Sequence, residues 1–147
     1  MPKNLDDVRR LARKDSFAVV TTVRPDGTIH ASLVTAGVLD DPISDIPSVG
    51  FVAHGSSRKL GHLRTSGRAA VVFRFGPDWI AVEGVARLVG PDDPVAGFGA
   101  AQMAKMLRDV FVAAGGTHQD WDEFDKVMRA ERRTAVFVSP ERISANG

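Results

Sequence analysis

The sequence has no cysteine among its 147 residues. This absence excludes disulfide bonds, thiolate catalysis and sulfur-ligated metal sites. The sequence also has no apolar run near the roughly 20 residues that a transmembrane helix needs. Its start, "MPKNLDDVRRLARK", lacks the apolar segment of a signal peptide. We therefore expect a cytoplasmic protein that does not insert into a membrane.

Net charge is nearly absent as well. The formal charge at pH 7 is +1, with 19 Lys and Arg against 18 Asp and Glu. This balance argues against general polyanion binding, and the basic residues lack the interleaved aromatic residues of a nucleic-acid stacking surface. The hydrophobic fraction of 44% and the charged fraction of 25% are those of a globular protein. We expect a single domain over residues 1–147 and no nucleic-acid partner.

Motifs for metal binding and hydrolysis are missing too. The four histidines show no ligand spacing such as HxxxH. The serines do not form a nucleophile elbow. The glycines of "GGTHQDW" follow a predicted helix, whereas a phosphate loop follows a strand. We predict no metal site and no catalytic residue supplied by the protein.

The spacing of apolar residues predicts helices and strands in the first two thirds of the chain. Asn4 is a predicted N-cap for an amphipathic helix. β-Branched runs bounded by turn residues predict strands. The predicted elements are a helix in "NLDDVRRLARK", a hairpin of "SFAVVTTV" and "TIHASLVTAGVL", a strand in "SVGFVAH", a helix in "SSRKLGHLRTSG", and a hairpin of "RAAVVFRF" and "WIAVEGVARLVG".

After "GPDDP" the apolar residues recur at every third or fourth position instead of every second position. It predicts a helix with Pro94 at its first position, ended by Gly115. A second helix follows, with a capping box from Thr117 to Asp120, and runs to about residue 131. The last strand, "TAVFVS", ends before Pro140. Strands joined by hairpins predict an α+β fold with six antiparallel strands, curled or closed to protect the sheet edges.

One stretch of the chain has no acidic residue. Between Asp45 and Asp78 lie five cations, which are Arg58, Lys59, Arg64, Arg68 and Arg74. If Ser56 or Ser57 caps the predicted helix, Arg58 and Lys59 occupy its first turn, where a cation is unfavourable by about 0.3–1 kcal/mol. A bound phosphate would relieve this conflict. The alternative is a solvated helix face, and the physics alone leaves both interpretations open.

Several segments carry a family resemblance. "FVAHGSSRKLGHLRTSGRAAVVF" resembles the Ser-Arg-Lys segment of the pyridoxamine phosphate oxidase-like, flavin-binding split-barrel proteins. "LGHLRTSGRAAV", "DWIAVEGVARL" and "GTHQDWDEFDKVMRAERR" are similar to the actinobacterial branch that binds the deazaflavin coenzyme F420. The similarity covers nearly the whole chain. It implies a six-stranded split β-barrel, a homodimer with two cofactor sites at the subunit interface, and redox chemistry performed by the cofactor.

The resemblance also implies which residues bind the cofactor. One group matches the phosphate-binding triplet and the helix that follows it, a second matches the strand along the flavin ring, and an aromatic residue matches one that lies close to the cofactor. The predicted cofactor-binding residues are Ser32, Leu33, Val34, Thr35, Ser57, Arg58, Lys59, Arg64 and Trp79. His54, beside the phosphate segment, is the histidine best placed to touch a ligand.

The expected function is that of an F420-dependent oxidoreductase acting on a small electron-poor organic acceptor. Three alternatives stay open: an FMN-binding oxidase or reductase, a non-catalytic flavin or deazaflavin carrier, and a heme-binding split barrel. The oxidases that bind FMN carry an Arg and a Lys on the second strand, and "HASLVTAGV" has neither. This difference argues against a pyridoxamine phosphate oxidase of vitamin salvage and against tight FMN binding.

Overall fold

The computed structural model describes residues 3–147, which contain six strands and four helices. The strands are β1 (Phe17–Val23), β2 (Ile29–Asp40), β3 (Pro47–Ala53), β4 (Arg68–Phe75), β5 (Asp78–Val89) and β6 (Thr134–Ala145). The helices are α1 (Leu5–Lys14), α2 (Arg58–Ser66), α3 (Ala100–Ala113) and α4 (Trp121–Ala130). Among these residues no helix is long and apolar enough to cross a membrane.

The six strands form one closed antiparallel barrel. Their hydrogen-bonded order is β1, β2, β3, β6, β5, β4, so that β1 and β4 close the ring. Closure leaves no long sheet edge unpaired. The predicted six-stranded antiparallel barrel of the α+β class is confirmed.

Helix α1 begins where the sequence predicts. The Asn4 side chain accepts the N–H of Asp6 at 2.9 Å, and the Asp7 carboxylate accepts the N–H of Asn4 at 2.9 Å. Such a cap typically stabilises a helix by about 1 kcal/mol. The apolar side of the helix places Val8 and Ala12 in the barrel core.

The molecule has two apolar cores. The first fills the barrel and receives Leu60 and Leu63 of α2, which are 0% and 1% exposed. The second lies outside the barrel, where Leu107 of α3 and Phe124 of α4 pack on Phe137 of β6. Full burial of a leucine contributes about 1.5–3 kcal/mol. Helix α2 is therefore anchored by two core leucines, which fix the position of its N-terminus.

Another part of the outer barrel surface is apolar but uncovered. On β1 and β2 the residues Phe17, Val19, Ile29 and Leu33 point away from the core, and we call this surface the outer apolar face. Leu33 and Ile29 are 62% and 68% exposed. A contiguous exposed apolar patch of this kind marks an interaction surface.

Helix α3 begins later than the spacing of its apolar residues predicts. The sequence predicts Pro94 as the first helical residue, but the helix starts at Ala100 with Gly99 as its N-cap. Gly97 adopts a φ of +78°, in the left-handed region that interrupts a right-handed helix. Val95 and Phe98 still pack against the second core from the preceding turn.

Helix α4 is also capped differently from the prediction. Asp120, rather than Thr117, is the N-cap, and its carboxylate accepts the N–H of Glu123 at 3.1 Å. Aspartate satisfies the free N–H groups of a first turn well. The helix therefore starts at Trp121.

Strand β6 continues past the predicted end at Ser139. Pro140 lies opposite Gly84, where the pairing of β5 and β6 shifts register. A proline lacks the N–H that a regular ladder uses, and a β-bulge tolerates that loss. The two backbones approach closely here, because a Cβ built on Gly84 would lie 1.7 Å from the carbonyl oxygen of Ser139.

Candidate functional site

Strand β3 enters α2 through a tight loop. The N–H of Ser57 donates to the carbonyl of His54 at 2.9 Å, and the N–H of Gly55 donates to the carbonyl of Glu131 at 3.0 Å. A Cβ on Gly55 would lie 2.7 Å from the carbonyl oxygen of Arg132. The loop before α2 therefore packs directly on the turn between α4 and β6.

Ser57, one of the two serines that the sequence offers as caps, is the N-cap of α2, but it does not cap the helix with its side chain. Its hydroxyl instead accepts a hydrogen bond from Lys59 Nζ at 2.9 Å. Within residues 3–147 the backbone N–H groups of Arg58 and Lys59 have no acceptor. The first turn of α2 thus presents free amides where the helix dipole is positive.

The two cations of this turn are not neutralised by acids. The exposed Arg58 makes no ion pair or hydrogen bond within residues 3–147. Lys59 is half-buried, and burial together with the nearby Arg133 lowers its pKa below the usual lysine value. Two free amides, a hydroxyl and two cations therefore belong to the first turn of α2 and its N-cap. A phosphate or similar anion is the ligand that satisfies all of these donors.

Arg133 belongs to this cationic group although it lies far from α2 along the sequence. It precedes β6, and its Nε donates to the Glu131 carboxylate at 2.8 Å. Its charge reaches Lys59 across the contact between the α2 loop and the α4–β6 turn. The sequence gives one sign of its role, because "DKVMRAERR", part of a segment that carries the family resemblance, ends in this arginine.

Arg64, the third predicted cation of α2, is held by the protein itself. Its Nε and Nη2 donate to the two carboxylate oxygens of Asp93 at 2.9 and 2.7 Å. This bond raises the pKa of Arg64. A guanidinium in a two-point ion pair has fewer donors left for a ligand. Its role toward a cofactor stays a prediction.

Arg68, another arginine of the acid-free stretch, is also paired with a distant acid. Arg68 donates to Glu141 at 2.6 Å. Arg87, which lies on β5 outside this stretch, binds Asp41 at 2.8 Å. The acids that neutralise these arginines come from distant segments. Arg58 and Lys59 of the acid-free stretch have no acidic partner among residues 3–147, and they lie beside free amides.

The four predicted residues of β2 divide between two faces of the strand. Ser32 and Val34 point inward, because their partners Val20 and Ala18 are buried. Leu33 and Thr35 are exposed on the outer side. Side chains at successive positions of a strand point to opposite faces, so these four cannot all contact one flat ring. The outward pair is accessible to a ligand, whereas the inward pair offers mainly its backbone.

Near the α2 end of the barrel lies a group of inward polar side chains. His62 Nδ1 and Thr22 Oγ1 are 2.9 Å apart, and the His30 and His62 rings meet edge to face at 5.2 Å. Burial lowers the pKa of His30, and nearby Arg24 adds to the effect. His30 Nδ1 and Ser32 Oγ are buried without a partner in the described chain. Within residues 3–147 no group of three or more acidic and histidine side chains is placed to hold a metal.

His54 and Trp79 take different positions relative to α2. His54 Nδ1 accepts the N–H of Ser56 at 3.1 Å, which places it in the loop before the cationic turn. Trp79 pairs with Arg74 at the far end of β4 and lines a cavity of about 280 Å³ beside Arg10 and Lys14. Within one chain the structure does not bring Trp79 together with the α2 turn.

Solved structures with the same architecture come from several bacteria. A conserved hypothetical protein from Mycobacterium tuberculosis matches with a TM-score of 0.71 and 18% identity, over 97% of this chain and 84% of that one. An FMN-binding protein from Nostoc punctiforme, related to pyridoxamine 5'-phosphate oxidase, matches with a TM-score of 0.65 and 15% identity, over 95% and 80%. The heme storage protein HutZ from Vibrio cholerae matches with a TM-score of 0.61 and 10% identity, over 99% and 96%. These likenesses show the fold.

The family of the chain follows from a sequence comparison. No curated protein matches the chain. The family model described as pyridoxamine 5'-phosphate oxidase matches residues 5–146, which include the barrel and all four helices. The chain therefore belongs to the pyridoxamine 5'-phosphate oxidase family.

Proposed function

We propose that this chain is an oxidoreductase that binds the deazaflavin F420 and passes a hydride to a small electron-poor organic acceptor. The observation that carries the proposal is the first turn of α2, where Arg58 and Lys59 lie beside two free amides without an acidic partner in residues 3–147. The family match and the similarity of the quoted segments to the F420-binding branch support it.

The donor set of this turn fits a cofactor phosphate. Arg58 and Lys59 would pair with the anion, and the amides and the Ser57 hydroxyl would hydrogen-bond to it. Arg133 lies near Lys59, with its guanidinium paired to Glu131. Two or three charge-assisted hydrogen bonds, at about 1.5–3 kcal/mol each, supply about half of the 8.2 kcal/mol of a micromolar complex.

The chemistry assigned to the protein itself is modest. A bound deazaflavin supplies the hydride, and the chain binds it, orients it and excludes water. This division of labour agrees with the prediction that no side chain acts as a nucleophile. The exposed Thr35 and Leu33 on β2 are the side chains proposed to lie along the ring.

Titration of the purified protein with F420 and with FMN tests the cofactor. We expect micromolar binding of F420 and at least about tenfold weaker binding of FMN, because β2 lacks the Arg and Lys that the FMN-binding oxidases carry. Tighter binding of FMN would overturn the F420 assignment and leave the FMN alternative. A Soret band on adding heme, with no deazaflavin binding, would support the heme alternative.

Anaerobic mixing with reduced F420 and a panel of quinones, enones and nitro compounds tests the reaction. We expect oxidation of F420 with at least one acceptor. Binding of F420 without turnover of any acceptor would favour a carrier protein over an enzyme.

We further propose that two copies associate through the outer apolar face. Val19 and Leu33 lie directly opposite each other on that face, and both are more than a third exposed in the single chain. A second copy would cover this surface. Apolar burial of this kind drives most stable dimers.

Sedimentation measurements test the dimer. We expect a dimer at micromolar concentration, and Val19→Asp should weaken association at least about a hundredfold because it buries an unpaired charge. Val127→Asp on α4 changes a comparably exposed valine outside the outer apolar face and should leave the dimer intact. A monomeric wild-type protein would remove the proposal.

A further inference from the structure

A second cavity, of about 420 Å³, lies between α3 and α4. Its lining is apolar on one side, where Phe98, Met103, Leu107 and Met128 meet. The small residue Ala104 leaves space on the α3 wall. None of the predicted cofactor-binding residues lines this cavity. Its volume lies within the usual range of small-molecule sites.

The rim of the cavity carries excess positive charge. Arginines and acids at or near the rim form ion pairs, and each pair cancels one positive and one negative charge. The pairs are Arg108 with Asp125, Arg132 with Asp92, and Arg133 with Glu131. Arg129, which also lines the cavity, has no acidic partner of its own within residues 3–147. An apolar floor below one unpaired guanidinium is complementary to an amphipathic anion.

We propose that this cavity binds a small amphipathic carboxylate, with its apolar body against Met103 and Met128 and its carboxylate on Arg129. The floor removes the apolar body from water, and the guanidinium supplies a charge-assisted hydrogen bond at the rim. The residues proposed to contact the carboxylate, which are Arg129, Met103 and Met128, do not belong to the α2 turn or to the proposed cofactor site. The test of this cavity therefore does not depend on F420 binding.

Methionine methyl NMR of the full chain reports on the cavity directly. The chain contains four methionines, and two of them, Met103 and Met128, line the cavity. On titration with octanoate up to about 5 mM, which detects binding as weak as millimolar, both signals should shift and saturate. The uncharged 1-octanol should bind at least about fivefold more weakly, because it cannot pair with a guanidinium.

Two variants and a control separate this site from non-specific binding. Arg129→Gln should weaken octanoate binding about fivefold or more. Lys126→Gln removes the same charge from an exposed position on α4 that does not line the cavity and should leave binding unchanged. Ala104→Trp should fill the cavity and abolish binding, with thermal melting as the check that this variant folds.

The proposal is overturned if the Met103 and Met128 signals do not move with octanoate. Equal affinities of the Arg129→Gln and Lys126→Gln variants would also overturn it, since the assigned anion partner would then be wrong. If Ala104→Trp fails to fold, the comparison of the two charge variants decides the question.

Discussion

Replacing Gly84 by Ala should destabilise the protein by about 3 kcal/mol or more, at the upper end of the effects of overpacking. The added Cβ would lie 1.7 Å from the carbonyl oxygen of Ser139 and 2.9 Å from its carbonyl carbon. Both are backbone atoms of the neighbouring strand, so a change of side-chain rotamer cannot relieve the clash. The bulge between β5 and β6 would have to open, and the barrel closes through this pair of strands.

Thermal or urea unfolding measures this effect, and α2 supplies a matched control. For a chain of this size a loss of 3 kcal/mol lowers the melting temperature by about 6–12 °C. Gly61→Ala makes the same chemical change at an exposed helical position where a Cβ meets nothing within 4 Å. It should stabilise the protein by about 0.5–1 kcal/mol, since alanine favours a helix. Similar melting temperatures for the two variants would show that the strands at Gly84 separate more easily than described.

Replacing Arg58 and Lys59 together by Ala should weaken cofactor binding at least about a hundredfold, or about 3 kcal/mol. Both cations lie at the first turn of α2 beside free amides. Without ligand, the same change should leave stability unchanged or raise it slightly, because two cations leave the positive end of a helix dipole. Burial of the Lys59 charge is unfavourable and lowers the pKa of this lysine. Replacing Lys59 removes that cost, which also favours higher stability.

Fluorescence titration measures the change in cofactor affinity, and thermal melting of the ligand-free protein measures the change in stability. The double variant Lys105→Ala and Lys126→Ala removes the same charge from exposed positions on α3 and α4 and should retain full affinity. Binding to the wild type should also weaken with salt, since the contact is partly electrostatic. Unchanged affinity in the Arg58 and Lys59 variant would remove the phosphate role. A large loss of ligand-free stability would show instead that the pair is structural.

Local chemistry was enough to predict most of the fold. The Asn4 cap, the hairpin of β1 and β2, and the helix in "SSRKLGHLRTSG" each depend on residues close in sequence. The errors arose where a distant contact or an unusual backbone angle decided the outcome. Gly97 turned a predicted helical start into a loop, and pairing with Gly84 extended β6 through Pro140.

The candidate site was predicted in part for the same reason. Arg58 and Lys59 violate the charge preference of a helix start, and such a violation is visible in the sequence. The pairing of Arg64 with Asp93 and the approach of Arg133 to Lys59 are not visible, because they depend on how α2 and the start of β6 meet in space. A stretch of sequence without acidic residues therefore does not mean that each of its arginines lacks an acidic partner in the fold.

The contact between Gly55 and the turn before β6 has a consequence for how the protein can evolve. The cationic turn of α2 is positioned by a segment encoded far from it, through the Glu131 carbonyl and the backbone of Arg132. An insertion or deletion between α4 and β6 would shift the proposed anion site without altering any residue predicted to bind the cofactor. The length of that turn is therefore a constraint on ligand binding, and changes in it offer natural variants a route to new specificity.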